Sequence, residues 1–247
     1  MKDATNELLK ELKLSTFISN LKPMEKKADK GGWSYEKFLK ELSFCEIDHR
    51  KEMKTARLLK QSKIPPQYTF ETLDQKLLSS KVRKAFAMLL KGEFINEASN
   101  ILAFGLPGRG KSHLLGALGR ELILKYNISV YFTPTFKIVE KLLIAKKEYD
   151  LENALKRLDK FDVIILDDIG YVQQSRDEME VLFTLLADRY ERKSLMISSN
   201  LVFSKWDKIF KDPMTTMAAV DRLIHHSTIL EFDWDSIRAM EAKKRKQ

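Results

Sequence analysis

The chain carries a single cysteine, Cys45, in 247 residues. No internal disulfide can form, which fits a reducing compartment. No apolar run reaches the roughly twenty residues that a membrane helix needs. The amino terminus is polar and charged, unlike a signal peptide. These absences lead us to expect a cytoplasmic protein without membrane contact. No internal repeat is present. His49, His113, His225 and His226 lack metal-ligand spacing and read as surface or packing residues. Neither a Gly-x-Ser-x-Gly stretch nor a Cys/His pair offers a hydrolase nucleophile. The long middle of the chain also lacks net charge. Residues 67–237 hold twenty-four basic and twenty-four acidic side chains. The overall +9 therefore lies at the ends, with +5 in residues 1–66 and +4 in residues 238–247. Charge so placed points to a polyanion met by the ends, nucleic acid first. A solvated helix face and a basic tail are the plainer alternative.

What is present begins with Asn100 to Ser112, NILAFGLPGRGKS. An apolar strand-like run leads into G-x-x-x-x-G-K-S, the phosphate-binding loop. Gly105, Gly108 and Gly110 let backbone N–H groups point inward around phosphate oxygens. Lys111 reaches the β- and γ-phosphates as a point charge, and the Ser112 hydroxyl is suited to Mg²⁺. A helix over Ser112–Tyr126 aims its positive end at the same place. The expected nucleotide-binding set is Gly105, Pro107, Gly108, Arg109, Gly110, Lys111, Ser112 and His113, with Mg²⁺ beside the phosphates.

Upstream, Leu8, Leu9, Leu12, Phe17, Ile18 and Leu21 recur at helical spacing. Met24 to Gly32 reads as a charged loop. A second helical stretch runs from Ser34 to about Ser62, and its later half is studded with Arg50, Lys51, Lys54, Arg57 and Lys60. Ile64-Pro65-Pro66 breaks it. Phe86 to Leu90 suggests a lead-in helix that ends near Gly92. Beyond the P-loop helix, Ser129–Thr133 is a short strand closed by Pro134. Two Lys-rich helices follow, Phe136–Lys147 and Leu151–Leu158.

Val163–Leu166 is apolar on both faces, as a parallel-sheet strand is. It ends in Asp167-Asp168, which reads as a Walker B acid pair. Asp167 would hold Mg²⁺ and Asp168 would act as general base toward the attacking water. The alternative is a turn-forming acid pair. After a helix at Glu178–Tyr190, a strand at Leu195–Ser198 ends in Ser199-Asn200. Asn200 is a candidate to hydrogen-bond the γ-phosphate or the lytic water, with an Asx-turn as the alternative. A helix at Thr215–Ile224 contains Asp221-Arg222-Leu223, and Ser227–Phe232 is the last strand.

This order of motifs resembles the AAA+ ATPases, in the clade of the helicase loader DnaC, the initiator DnaA and the IstB transposition helpers. GLPGRGKSHLLGALG, VIILDDIGYV, RYERKSLMISSNLVFSKW and DRLIHHSTILEF look most like IstB. The resemblance implies an α/β fold: a five-stranded parallel P-loop sheet flanked by helices, with a small all-α N-terminal domain. It divides the chain into a basic helical domain at 1–63, an ATPase domain at 64–237 and a basic tail at 238–247. About fifteen residues follow the last strand, too few for the helical lid of most AAA+ proteins. The family implies that the nucleotide is ATP, and that the protein is a helper that assembles head to tail on double-stranded DNA with ATP and works with an IstA-like transposase. Arg222 matches the arginine that reaches a neighbour's γ-phosphate. The Lys-rich helices match the clade's insertion facing nucleic acid, making Lys137, Lys141, Lys156 and Arg157 DNA candidates beside Arg50, Lys51 and Lys54. Asp168 stands where AAA+ motors usually carry Glu, which favours slow, switch-like hydrolysis. Two alternatives stand beside this reading: a DnaC-like helicase loader and, more distant, a small-molecule P-loop kinase, for which the sequence shows neither Arg cluster nor lid.

Overall fold

The structure is a computed structural model that describes residues 2–73, 78–171, 175–201, 221 and 223–233. The chain divides into two compact units, Met1–Arg57 and Leu58–Gln247.

The first unit is helical. It contains α1 (Lys2–Glu11), α2 (Ser15–Gly31) and most of α3 (Tyr35–Ser62). The segment read from sequence as a loop over Met24–Gly32 is instead helical as far as Gly31. Its charged residues are good helix formers, and the stop comes only at Gly32, which adopts the left-handed conformation at φ 57°. Inside this unit the buried carboxylate of Glu46 ties the helices together. It accepts from the Thr16 backbone N–H at 3.2 Å and from Arg50 Nε at 2.7 Å. Arg50 also donates to the Lys13 carbonyl at 3.1 Å. Burial pushes the Glu46 pKa up, but the hydrogen bonds from Arg50 and Thr16 outweigh it and hold the acid below its ordinary value.

The second unit is an α/β sandwich of layers. After α4 (Ser80–Leu89) and α5 (Glu93–Asn96) come β1 (Asn100–Gly105), α6 (Lys111–Tyr126), β2 (Val130–Pro134), α7 (Thr135–Lys147) and α8 (Leu151–Leu158). Then follow β3 (Val163–Asp167), a 3₁₀ turn at Ile169–Tyr171, α9 (Arg176–Arg189), β4 (Ser194–Ser199) and β5 (Ser227–Phe232). The five strands form one sheet in the order β2-β3-β4-β1-β5, and every pairing is parallel. Alternate residues feed opposite faces. Ile101 and Ala103 pack with Leu114, Leu118 and Leu122 of α6 and Phe86 of α4. Leu102 and Phe104 pack with Ile138 of α7 and Leu182 and Leu185 of α9. Helices on both faces explain why β1 and β3 read as unbroken apolar runs. Among the described residues, no helix is long and apolar enough to cross a membrane.

Arg189, at the end of α9, is 1% exposed. Its guanidinium donates to the carbonyls of Leu158, Phe161, Asp162 and Ser194 at 3.1–3.4 Å. Burial lowers its pKa to about 10, with Asp159, Asp188 and Asp162 opposing the shift. It stays charged at neutral pH and clamps the end of α8 and the start of β3 to the start of β4. Arg189→Met keeps the packing volume but leaves these carbonyls without the donor. We expect a loss of about 3 kcal/mol or more. In thermal unfolding that is a midpoint lower by roughly 6–12 °C; a fall of under a degree would show that the clamp carries no stability.

Candidate functional site

The carboxyl ends of parallel strands share one edge of the sheet, and the order seen here puts the ends of β3, β4 and β1 side by side. The P-loop leaves β1 there. Gly108 and Gly110 take φ of 80° and 87°, which side chains with a Cβ rarely adopt. At Gly105 the constraint is contact, because a Cβ would collide with the Phe232 carbonyl of β5. Arg109 donates to that same carbonyl at 2.6 Å and so ties the loop to the end of β5. Lys111, 7% exposed at the first position of α6, folds its ammonium back onto the carbonyls of Gly105 and Leu106 at 2.6 and 3.0 Å. Pro107 is exposed at the loop tip, and Ser112 follows in the first turn of α6. The His113 ring is engaged elsewhere. It stacks on Tyr68 at 5.1 Å and bonds through Nε2 with Thr72 Oγ1 and the Thr69 carbonyl.

Asp167 ends β3 and Asp168 turns out of it at φ 55°, a left-handed conformation that costs a non-glycine residue on the order of 1–2 kcal/mol. Ser198 of β4 holds both. Its hydroxyl donates to Asp167 Oδ1 at 2.7 Å and accepts the Asp168 N–H at 2.7 Å. Thr135, buried at the start of α7, donates to the Asp167 carbonyl at 3.0 Å. Asn200 lies against Gly170, where a Cβ would strike its Oδ1. Asp168 Oδ1 and Asn200 Oδ1 are both buried without a hydrogen-bond partner among the described residues. Buried polar atoms without partners are costly in a finished core, so the site is built to receive a further polar group. The Asp168 pKa is raised, chiefly by burial and then by repulsion from Asp167, with Lys111 and the Gly170 N–H opposing.

A cavity of about 360 Å³ flanks the loop, lined by Leu106, Arg109, Asn200 and Phe232 among others. Paired acids, a lysine, a serine hydroxyl and inward glycine backbone fit a nucleotide triphosphate with a divalent cation. The structure thus brings Lys111, Asp167, Asp168 and Asn200 to one edge. Ser198, Thr135 and Gly170 join them without having been read from the sequence. The Ser-Ser-Asn ending of β4 was the only available hint of Ser198. Arg222 and residues 234–247, where a lid or the basic tail would lie, fall outside the described residues.

The DNA candidates differ in their surroundings. Lys156 pairs with Glu152 at 2.6 Å, Arg157 with Asp150 at 3.1 Å and Arg50 with Glu46 at 2.7 Å. Lys137 and Lys141 of α7, and Lys51 and Lys54 of α3, are exposed, and no ion pair engages them among the described residues.

Because the fold raises the Asp168 pKa, it favours the neutral acid, and the ionised form costs stability above the ordinary carboxylate pKa. Asp168→Asn is expected to raise the unfolding midpoint of the nucleotide-free protein near pH 7. The gain should shrink at about pH 3, below the ordinary aspartate pKa, where the folded and unfolded wild-type acids alike take up the proton. Calorimetry at both pH values checks this; a lower midpoint at pH 7 would contradict it.

The family model described as IstB-like ATP binding protein matches residues 7–246. An insertion-sequence ATP-binding protein of Sinorhizobium fredii is 40% identical over 242 residues, covering 96% of this chain and 80% of the relative. An ATP-binding protein of insertion sequence IS21 from Pseudomonas aeruginosa is 33% identical over 237 residues, covering 96% of this chain and 89% of that one. Among solved structures, AMPPCP-bound DnaA from Aquifex aeolicus superposes with a TM-score of 0.55 at 20% identity. That match covers 74% of this chain and 55% of DnaA, and it identifies the fold as the P-loop AAA+ type. The chain belongs to the IstB-like family of insertion-sequence ATP-binding proteins.

Proposed function

We propose that this protein is an ATP-hydrolysing helper of insertion-sequence transposition, which assembles head to tail on duplex DNA and recruits or stimulates its partner transposase. The observation that carries the reading is the convergence of Lys111, Asp167, Asp168 and Asn200 on one sheet edge in a chain of this family. The P-loop amides and Lys111 grip the triphosphate, and Lys111 leaves the carbonyls of Gly105 and Leu106 to do so. Ser112 and Asp167 would hold Mg²⁺, which supplies positive charge to the β- and γ-phosphates. Asp168 takes the proton from the attacking water, and Asn200 orients that water or the γ-phosphate. Arg222 of one subunit completes the site of the next, so nucleotide binding and assembly depend on each other. The basic N-terminal unit and the exposed lysines of α7 meet the phosphate backbone with little base readout.

The test is duplex binding, with and without ATP-Mg²⁺, followed by mobility shift and light scattering at several salt concentrations. Large complexes that need ATP, weaken steeply with salt and ignore sequence are expected. Lys111→Ala should abolish them. The absence of duplex binding in either state would sink the reading in favour of a helicase loader that acts on single strands. Lys137→Ala with Lys141→Ala should weaken duplex binding evenly across sequences and lower the salt slope by about two. Lys156→Ala, whose lysine is already paired with Glu152, should change the slope less. Asn200→Ala should reduce turnover on the order of a hundredfold while leaving ATP binding nearly intact.

A further inference from the structure

At the opposite edge of the sheet, where the strands begin, Glu191, His225 and His226 meet. One ligand atom from each lies within 4.8 Å of the others, and all three residues are exposed. His226 Nε2 is 3.7 Å from Glu191 Oε1, and the two imidazole centroids are 4.1 Å apart. Two of the three backbones are fixed by the core. Glu191 takes the left-handed conformation at φ 55°, inside a turn where the N–H groups of Arg192 and Lys193 both donate to the Arg189 carbonyl. The His226 carbonyl accepts the Asn100 N–H at 2.7 Å. A third feature concerns the ring of His225, whose Nδ1 lies 3.2 Å from Tyr190 Oη. With the proton on Nδ1, donated to the tyrosine oxygen, Nε2 keeps its lone pair. That is the arrangement by which metal-binding histidines are oriented.

We propose that Glu191, His225 and His226 bind a late first-row divalent cation of the zinc class. Two neutral imidazoles and one carboxylate favour Zn²⁺, Ni²⁺ or Co²⁺ over Mg²⁺ and Ca²⁺, which take oxygen ligands. Ligation joins the turn after α9 to the helical residues Leu223–His225 that lead into β5. The six residues of β5 separate this edge from the nucleotide edge by about 15–20 Å. The two sites are therefore independent in their ligands.

The experiment uses the untagged full-length protein and Zn²⁺, followed by calorimetric titration and by thermal unfolding with and without chelator. One equivalent is expected to bind. At roughly a hundredfold excess over Kd the midpoint should rise by on the order of 5–10 °C, and Mg²⁺ should not substitute. His225→Ala and His226→Ala should each abolish the one-equivalent phase, and Glu191→Gln should weaken it about tenfold or more. Asp167→Asn should bind Zn²⁺ like the wild type, which separates this site from the acids of the nucleotide edge. Co²⁺ should give the visible absorption of a four-coordinate ion. No Zn²⁺ binding by the wild type, or unchanged binding by the His225→Ala/His226→Ala double variant, would overturn the proposal.

Discussion

The hydroxyl of Ser198 holds the candidate nucleotide edge together. It donates to the Asp167 carboxylate and accepts from the backbone of the next residue, Asp168. Through that pair of bonds, β4 dictates both where Asp167 points and that Asp168 leaves the strand in a left-handed turn. The turn is strained for an aspartate. It persists because Ser198 on one side, and the packing of Gly170 against Asn200 on the other, leave the chain little choice. A β3 without β4 beside it would have no means of fixing these two acids relative to each other.

The same edge is an electrostatic arrangement waiting for a polyanion. Two carboxylates are held close enough to repel, and one is pushed toward its neutral form by burial and by its neighbour. The nearby ammonium of Lys111 is occupied by loop carbonyls. A triphosphate with its cation would answer these groups at once: phosphate oxygens for Lys111 and the glycine amides, positive charge for the aspartates. Relief of such conflicts on ligand binding is one way in which a fold can couple nucleotide state to the shape of its loops.

Away from that edge, ion pairs sort the basic residues. In the N-terminal unit, Arg50 is spent on Glu46 and the Lys13 carbonyl, and it stiffens the helical packing. Lys146 likewise bridges α7 to Asp177 and Glu180 of α9. The Lys137 and Lys141 side chains stand on the solvent side of α7, where a phosphate backbone could meet them. A net charge cannot tell these roles apart, because an arginine that supports the fold and a lysine that faces solvent count equally.

By itself, the sequence determined what depends on neighbours along the chain. The glycine-rich loop, the acid pair after an apolar run and the alternation of strand and helix are local chemistry, and each lies where its motif put it. The family wording carried the fold class with it. The helical stretch at Met24–Gly31 escaped because its charged residues offered too few apolar marks for a helical period. Other features belong to the tertiary structure alone. Lateral strand order leaves no trace in local periodicity, since every parallel strand buried on both faces reads as the same apolar run. Only folding brings Ser198 and Thr135 to the acids, and Glu191 to His225 and His226. Long-range contacts such as these are set by which strands and helices pack side by side, and that choice is made by the whole core at once.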